Sequence, residues 1–231
     1  MFIHLFDPQI WSIVMLSLQV SCLAMVVCLP LAVAIGKLLS GPGFYGKSLL
    51  SALVHLPLVL PPVVTGYALL VLFGRRGWIG SVLDQWGIGF TFSWFGAALA
   101  AGVMAFPLVV RPIRLAFESQ DPRLTEMAAT LGAKRWRRFF KISLPLAVPG
   151  IIAGLVLGFA KALGEFGATI TFVSNIPGET QTLSLAIYTL LQSPRGDSAA
   201  LTLIAISIVL SFAAILVSEW MVNSAKKKRE R

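Results

Sequence analysis

Charged residues are scarce in this sequence. Asp, Glu, Lys and Arg account for 13% of its 231 residues, and 57% of the residues are hydrophobic. A soluble domain carries about 25% charged residues, so this shortage excludes an ordinary soluble protein. The apolar runs are long and unbroken, which is typical of membrane-spanning helices and not of alternating barrel strands. We therefore predict an all-α integral membrane protein.

Residues that bind metals or form disulfides are equally few. Cys22 and Cys28 are six positions apart in one apolar run, so they face different sides of a helix and are expected to be packing residues. His4 and His55 are too far apart in sequence to form a metal motif, and His55 is expected to be an interior histidine. The sequence has no nucleophile paired with a base and no H-E-x-x-H string. It predicts no catalytic residue, no metal site and no cofactor.

Positive charge is also missing before the first apolar run. Residues 1–10 contain no Lys or Arg, and the first one, Lys37, follows the run. A secretory signal would place positive charge in front of its apolar region. This order predicts an uncleaved first helix with its N-terminus outside the cell membrane.

Five apolar stretches are long enough to cross a membrane, which requires about 20 residues. The first is expected to be interrupted near Pro30, and a shorter stretch at 181–191 is expected to be a re-entrant or outer-surface helix. One transmembrane domain is thus predicted over 1–231, with a helical bundle at about 11–222, a cytoplasmic loop at 121–141 and a basic cytoplasmic tail at 223–231. The predicted spans are about 11–39, 49–73, 92–110, 145–164 and 201–222.

The net charge of +9 is distributed along the chain in a way that favours a membrane and not a nucleic-acid partner. With five crossings, fifteen basic residues fall in inner segments and three in outer loops. Six crossings would place either the loop at 111–141 or the tail outside. We therefore expect five crossings, the C-terminus inside, and membrane lipid as a partner of the basic segments. The three basic residues of the outer loops are Arg75, Arg76 and Arg195.

The loop at 121–141 contains a short predicted helix. Asp121 is a typical N-cap, and Pro122 fits the first helical position. An apolar stripe follows at helical spacing, and Gly132 is a typical left-handed stop. A polar loop has no need of an apolar stripe unless another surface covers it. The stripe consists of Leu124, Met127, Ala128 and Leu131.

This segment resembles the EAA coupling motif of ABC-importer permeases, in which Glu-Ala-Ala and a later Gly precede an Ile-x-Leu-Pro string at fixed spacing. Met127 stands where the family usually has its first Ala. The resemblance implies that the loop docks into a groove on a separate cytoplasmic ATPase, so that no enzymatic activity belongs to this chain. The coupling residues implied are Glu126, Met127, Ala128, Ala129, Leu131, Gly132, Ile142, Leu144 and Pro145.

A second string, Gly41 to Ser48, fits the P-loop pattern of Gly, four residues and Gly-Lys-Ser. A functional P-loop connects a strand to a helix on an α/β sheet. Here one membrane helix ends just before the string and another begins just after it. We interpret it as a turn with Lys47 at the inner membrane interface, and we expect ATP to bind to another chain.

Two further segments are candidates for the transport path or its gate. Pro57, Pro61 and Pro62 interrupt the second span, which predicts either a broken helix lining a path or a kink packed against neighbouring helices. Lys161 and Glu165 are four residues apart near the end of the fourth span. They form either a vestibule that attracts an anion or a helix-end ion pair. Gly164 and Gly167 beside them would permit a hinge.

The fourth span also carries small residues at four-residue steps, a pattern for close helix contact either inside one subunit or across a dimer. The residues are Gly150, Gly154, Gly158 and Ala162.

Residues 56–66, and the segment 163–170 together with 175–180, extend the resemblance to the molybdate-type ABC permease, a relative of the sulfate permease. It covers about 11–220. It implies a bacterial inner-membrane homodimer with two cytoplasmic ATP-binding subunits, a periplasmic oxyanion-binding protein and molybdate as the transported solute. Sulfate, tungstate or another oxyanion is the alternative within this class. A self-contained channel or secondary carrier and a membrane enzyme are alternatives outside it.

Overall fold

The computed structural model describes residues 7–87, 89–194 and 196–227, with the backbone alone at 218 and 221–227. All secondary structure in these ranges is helical. The helices are α1 (Pro8–Ser40), α2 (Lys47–Val59), α3 (Pro62–Phe73), α4 (Gly80–Asp84), α5 (Trp94–Glu118), α6 (Pro122–Thr130), α7 (Arg135–Arg138), a π-helical turn (Phe139–Ser143), α8 (Leu144–Leu163), α9 (Gly167–Val173), α10 (Leu183–Leu191) and α11 (Asp197–Lys227).

Polar side chains mark where the long helices begin. Asp7 caps α1 by accepting a hydrogen bond from the backbone N–H of Gln9 at 2.9 Å. Ser93 caps α5 by accepting one from the N–H of Gly96 at 3.2 Å. The predicted interruption near Pro30 is wrong, because α1 continues as a helix on both sides of it. In a long membrane helix, neighbouring helices and local adjustments satisfy the backbone groups that a proline frees.

Helices α1 and α5 run in the same direction. A Cβ added at Gly102 of α5 would lie 3.0 Å from Cys28 Sγ, and one at Gly36 of α1 would lie 2.9 Å from the Ile113 side chain. Residues later in α1 therefore contact residues later in α5, as expected of parallel helices. The chain between Ser40 and Trp94 must return from one end of the bundle to the other.

Helix α8 runs antiparallel to α5 and packs against it through the stripe of small residues. A Cβ at Gly154 would lie 2.7 Å from the carbonyl oxygen of Val109, and one at Gly150 would overlap Ala116. This answers the question that the sequence left open, since the stripe makes a contact inside one subunit. Close approach of two backbones is the reason that small residues recur there.

Helix α11 runs antiparallel to α8 and hence in the direction of α1. Its early residue Leu203 packs in a cluster with Ile10 and Leu163, at the end of the bundle where α1 begins. Its later residues 210–217 line a groove with Cys22 of α1 and Leu155 of α8, further into the bundle.

The second predicted span is broken, as its three prolines suggest. Helices α2 and α3 meet at an angle of 117° around Leu60 and Pro61. By length and hydropathy, four described helices can each cross a membrane, and the α2–α3 pair is a fifth candidate if it is counted as one broken span. The short helix predicted at 181–191 is observed as the nine residues of α10, half of the length that a crossing needs.

Candidate functional site

The predicted coupling helix is present as α6, with the expected start and stop. The carboxylate of Asp121 accepts a hydrogen bond from the N–H of Arg123 at 2.9 Å, and Pro122 occupies the first helical position. Gly132 has φ +78, the left-handed conformation that ends the helix. A Cβ added at this glycine would meet no atom within 4 Å. The left-handed backbone conformation, and not a lack of space, therefore favours Gly here.

The apolar stripe of α6 is exposed. None of the nine residues of α6 is buried. Met127 is 65% exposed and Leu131, which follows the helix, is 86% exposed. Glu126 and Ala129 are also exposed, whereas Ala128 is half-buried. These apolar side chains on a short polar helix form an exposed candidate contact surface.

Two hydrogen bonds connect the α6 region to the bundle. The Gln120 side chain, just before α6, donates to the carbonyl oxygen of Ser143 at 2.8 Å. The guanidinium of Arg138 donates to the carbonyl oxygen of Thr125 within α6 at 3.3 Å. These contacts join the loop to the helix that enters the membrane. Sequence reasoning missed both, since no local pattern links positions 23 and 13 residues apart.

Aromatic packing strengthens the same connection. The rings of Phe117 and Phe139 are stacked with centroids 6.3 Å apart, which joins the end of α5 to the start of the π-helical turn. Lys37 of α1 places its ammonium 4.9 Å from the Phe117 ring centroid. The ends of α1, α5 and α8 that lie on the side of α6 therefore form one packed unit.

The Ile-x-Leu-Pro part of the motif lies at the junction between the π-helical turn and α8. Ile142 is half-buried in the turn, Leu144 is half-buried at the first position of α8, and Pro145 is exposed. Pro145 is in the first turn of α8, where a missing N–H is tolerated. A π-helical turn accommodates an extra residue, and such turns are frequent at functional sites.

The break at Leu60 and Pro61 interlocks with a second break between α8 and α9. A Cβ at Gly66 would lie 2.6 Å from the carbonyl oxygen of Ala168, and one at Gly167 would lie 2.7 Å from Pro62 Cβ. The two broken helices are thus in backbone contact. The sequence marked both breaks by their prolines and glycines but did not predict that they meet. Pro61 and Pro62 are exposed, and Pro57 is half-buried.

Lys161 and Glu165 form an ion pair with an Nζ to Oε2 distance of 2.6 Å. The other carboxylate oxygen of Glu165 accepts a hydrogen bond from the N–H of Ala168 at 3.0 Å, inside the first turn of α9. Glu165 is 2% exposed, whereas the side chain of Lys161 is 31% exposed. The structure therefore contains the helix-end ion pair, and Gly164 lies within the turn that this pair closes.

The P-loop-like string forms a turn between two helices. The ammonium of Lys47 donates to the carbonyl oxygen of Gly41 at 2.7 Å, which closes the turn on itself. Residues 7–87 and 89–194 contain no strand that could hold a phosphate-binding loop. The interpretation of 41–48 as a connection agrees with this geometry.

Side chains with metal-binding chemistry are not clustered in the described ranges, in which no group of three His, Cys, Asp or Glu residues could hold an ion. His55 is half-buried and its Nδ1 lies 2.7 Å from the carbonyl oxygen of Ser51. Cys28 is buried and Cys22 is exposed on another side of α1. His4, Arg195 and residues 228–231 of the basic tail lie outside the described residues.

Residues 28–227 match the family described as "Binding-protein-dependent transport system inner membrane component". The molybdenum transport system permease protein ModB of Escherichia coli K12 is 57% identical over 226 residues, which are 97% of this chain and 98% of the relative. ModB of Haemophilus influenzae is 55% identical over 94% of this chain and 95% of the relative. The sulfate transport system permease protein CysT of Escherichia coli is 39% identical over 74% of this chain and 62% of the relative.

Two solved structures share the fold at lower identity. A chain of a bacterial alginate ABC transporter in complex with a periplasmic protein matches with TM-score 0.75 and 22% identity, over 95% of this chain and 82% of that chain. A chain of the inward-facing MetNI methionine ABC transporter matches with TM-score 0.73 and 17% identity, over 95% of this chain and 98% of that chain. At these identities the likeness concerns the fold alone.

Proposed function

Because the chain belongs to the family of binding-protein-dependent transport system inner membrane components, we propose that it is the transmembrane permease subunit of an ATP-driven importer of molybdate. The observation that carries this proposal is the 57% identity to a molybdenum permease over nearly the full length of both chains. It lies in the inner membrane as a multi-pass protein. ATP hydrolysis would take place on a separate subunit.

The coupling role of α6 rests on its exposed stripe and its connections. Leu124, Met127 and Leu131 would enter a groove on the ATPase, with Glu126 and Ala129 at the contact. The Gln120–Ser143 hydrogen bond and the Phe117–Phe139 stack would then carry movement of α6 into α8. Movement of this kind needs a packed, rigid connection, because a flexible loop would absorb it.

Transport would proceed by alternating access, with rigid-body motion of the bundle opening the path first to one side and then to the other. The interlocked breaks at Pro61 and Gly167 are our candidate gate. Broken helices at membrane depth are tolerated where they contact protein or a water-filled path. Lys161 and Glu165 hold one of the two breaks together.

We propose five crossings with the N-terminus outside and the C-terminus inside. The parallel course of α1, α5 and α11, with α8 antiparallel to them, supports this count when α2 and α3 together make one return. Fifteen basic residues then face the cytoplasm, as the positive-inside rule favours.

The working assembly would contain two copies of this chain, two ATP-binding subunits and a periplasmic oxyanion-binding protein. Five crossings are few to enclose a path, and a two-fold copy would supply ten. The small-residue stripe of α8 is already filled by α5, so the contact between copies would use other surfaces.

Uptake of labelled molybdate into vesicles, with the ATPase and binding protein present, tests the function. We expect ATP-dependent uptake that excess tungstate inhibits and excess sulfate does not. Uptake of sulfate in preference to molybdate would favour the second candidate, to which the 39% identity with a sulfate permease points. Energised uptake by this chain alone would contradict the importer mechanism and favour a secondary carrier.

A further inference from the structure

The segment between the coupling helix and α8 presents a surface that the mechanism above does not use. Trp136 is 74% exposed and Phe140 is 53% exposed. Their rings are stacked, with centroids 5.9 Å apart and planes 15° apart. Arg135, Arg137 and Lys141 beside them are exposed. We call these five residues the basic aromatic surface.

Trp136, Phe140, Arg137 and Lys141 lie on the side of the segment away from α6, whereas Arg135, three residues before Arg138, lies at the boundary between the two sides. Trp136 and Phe140 are four residues apart and share one side of the helix, and Arg137 and Lys141 flank them at one residue further along. Arg138 lies on the opposite side and donates its hydrogen bond to Thr125 of α6. The surface that contacts α6 is therefore separate from the one that carries the aromatic pair.

Helix length places this surface at the edge of the membrane. Helix α8 has 20 residues, or ~30 Å at ~1.5 Å per residue, which matches the hydrocarbon core. Phe140 and Lys141 precede it by three or four residues, or ~5 Å, and lie within the headgroup region, which adds about 5 to 8 Å on each side. Trp136 precedes it by ~12 Å and lies just beyond that region, and the long side chain of Arg137 can reach back to the headgroups.

We propose that the basic aromatic surface binds the headgroups of anionic phospholipids in the inner leaflet. A Trp side chain favours the membrane–water boundary because its ring is apolar and its N–H is polar, and the Phe140 ring stacked on it adds apolar area. The three flanking cations complement phosphate-bearing headgroups of negative charge. The proposal rests on the proposed function only in placing residues 111–141 on the cytoplasmic side.

The ATPase is the competing occupant of this surface. Two observations favour lipid. The surface is continuous with a membrane-spanning helix, Arg135–Leu163, and the exposed stripe that suits a protein groove lies on α6 instead. Lipid bound here would keep the start of α8 at the membrane surface while α6 and α8 move together with the ATPase.

The test uses the full chain, without its partners, in nanodiscs of equal amounts of phosphatidylglycerol and phosphatidylethanolamine. Lipids that remain bound after extraction into detergent are counted by native mass spectrometry. We expect Arg137→Gln/Lys141→Gln to lower the retained phosphatidylglycerol-to-phosphatidylethanolamine ratio by about fivefold or more. The matched control is Arg75→Gln/Arg76→Gln, which removes the same charge from two exposed residues of another loop and should leave the ratio unchanged.

The proposal would be overturned by an unchanged ratio in the Arg137→Gln/Lys141→Gln variant, or by an equal fall in the control. If the ratio is unchanged and the same variant, prepared separately with the partner subunits, co-purifies less ATPase, the surface belongs to that protein. Salt provides a check on the unaltered chain, because raising it from about 0.1 M to about 1 M shortens the screening length threefold. The ratio must fall under that change, and a constant ratio would contradict binding through charge.

Discussion

Glu165 accepts hydrogen bonds from Lys161 Nζ at 2.6 Å and from the N–H of Ala168 at 3.0 Å. One buried carboxylate thus joins the last turn of α8 to the first turn of α9. Because α9 packs on α3 through Gly66 and Ala168, this carboxylate also connects the α8–α9 break to the α2–α3 break. The ion pair is therefore one of the contacts that hold the candidate gate.

Breaking that ion pair on one side should destabilise the protein. Lys161→Met leaves the Glu165 carboxylate without its charged partner, at a cost of about 1–3 kcal/mol, since Lys161 is partly exposed and the loss is below that of a fully buried pair. We expect a lower midpoint of thermal unfolding in detergent. The double variant Lys161→Met/Glu165→Gln should recover most of it, because the amide is neutral and its oxygen still accepts from Ala168.

The same double variant separates packing from transport. If its stability recovers and its molybdate uptake does not, the charges of Lys161 and Glu165 serve transport and do more than hold the fold. Uptake that recovers together with stability would retire the vestibule hypothesis and leave the pair a structural role.

Gly132→Asp should abolish uptake while the protein still inserts in the membrane. A non-glycine residue at φ +78 costs about 1–2 kcal/mol of local strain, and the new carboxylate would lie beside the exposed stripe of α6. Gly46→Asp is the matched control, since Gly46 has φ +88 and equally open surroundings. Normal uptake by Gly132→Asp, or equal loss in the control, would argue against a coupling role.

Glu126→Arg should weaken binding of the ATPase. Glu126 is exposed in the middle of α6, so reversal of its charge leaves the fold intact and alters only a contact surface. Co-purification of the ATPase with the tagged permease measures the effect. Glu179→Arg, an exposed reversal in the loop before α10, serves as the control, and equal recovery of the ATPase with both variants would contradict docking at α6.

Gly66→Ala should destabilise the protein although most Gly to Ala changes in helices stabilise them. The new Cβ would lie 2.6 Å from a backbone oxygen of Ala168, which cannot move without shifting α9. We expect a loss of about 1–3 kcal/mol, measured as a lower unfolding midpoint. Gly43→Ala, with open space around it, should leave the midpoint nearly unchanged. A rise in both variants would show that the two breaks do not interlock.

Local signals in the sequence predicted local structure well. The start of α6 at Asp121 and Pro122 and its stop at Gly132 follow from caps that act within a few residues. The predicted interruption of α1 at Pro30 is wrong because α1 is a long helix whose neighbours compensate for one missing N–H.

Contacts between distant segments could not be predicted from one sequence. Gln120 and Ser143, or Gly66 and Ala168, meet only because the bundle brings their helices together. The stripe of small residues in α8 predicted a close helix contact but not its partner, since the same stripe suits a neighbour in either the same or a second chain. The roles of the coupling and gate residues remain predictions that the variants above address.

The shared course of α1 and α11 has a practical consequence for engineering this transporter. The first and last long helices begin at one face of the bundle and finish at the opposite face. A tandem fusion that joins the end of one copy to the beginning of another therefore cannot use a short soluble linker. It would need an additional hydrophobic helix of about 20 residues to carry the polypeptide back across the bilayer.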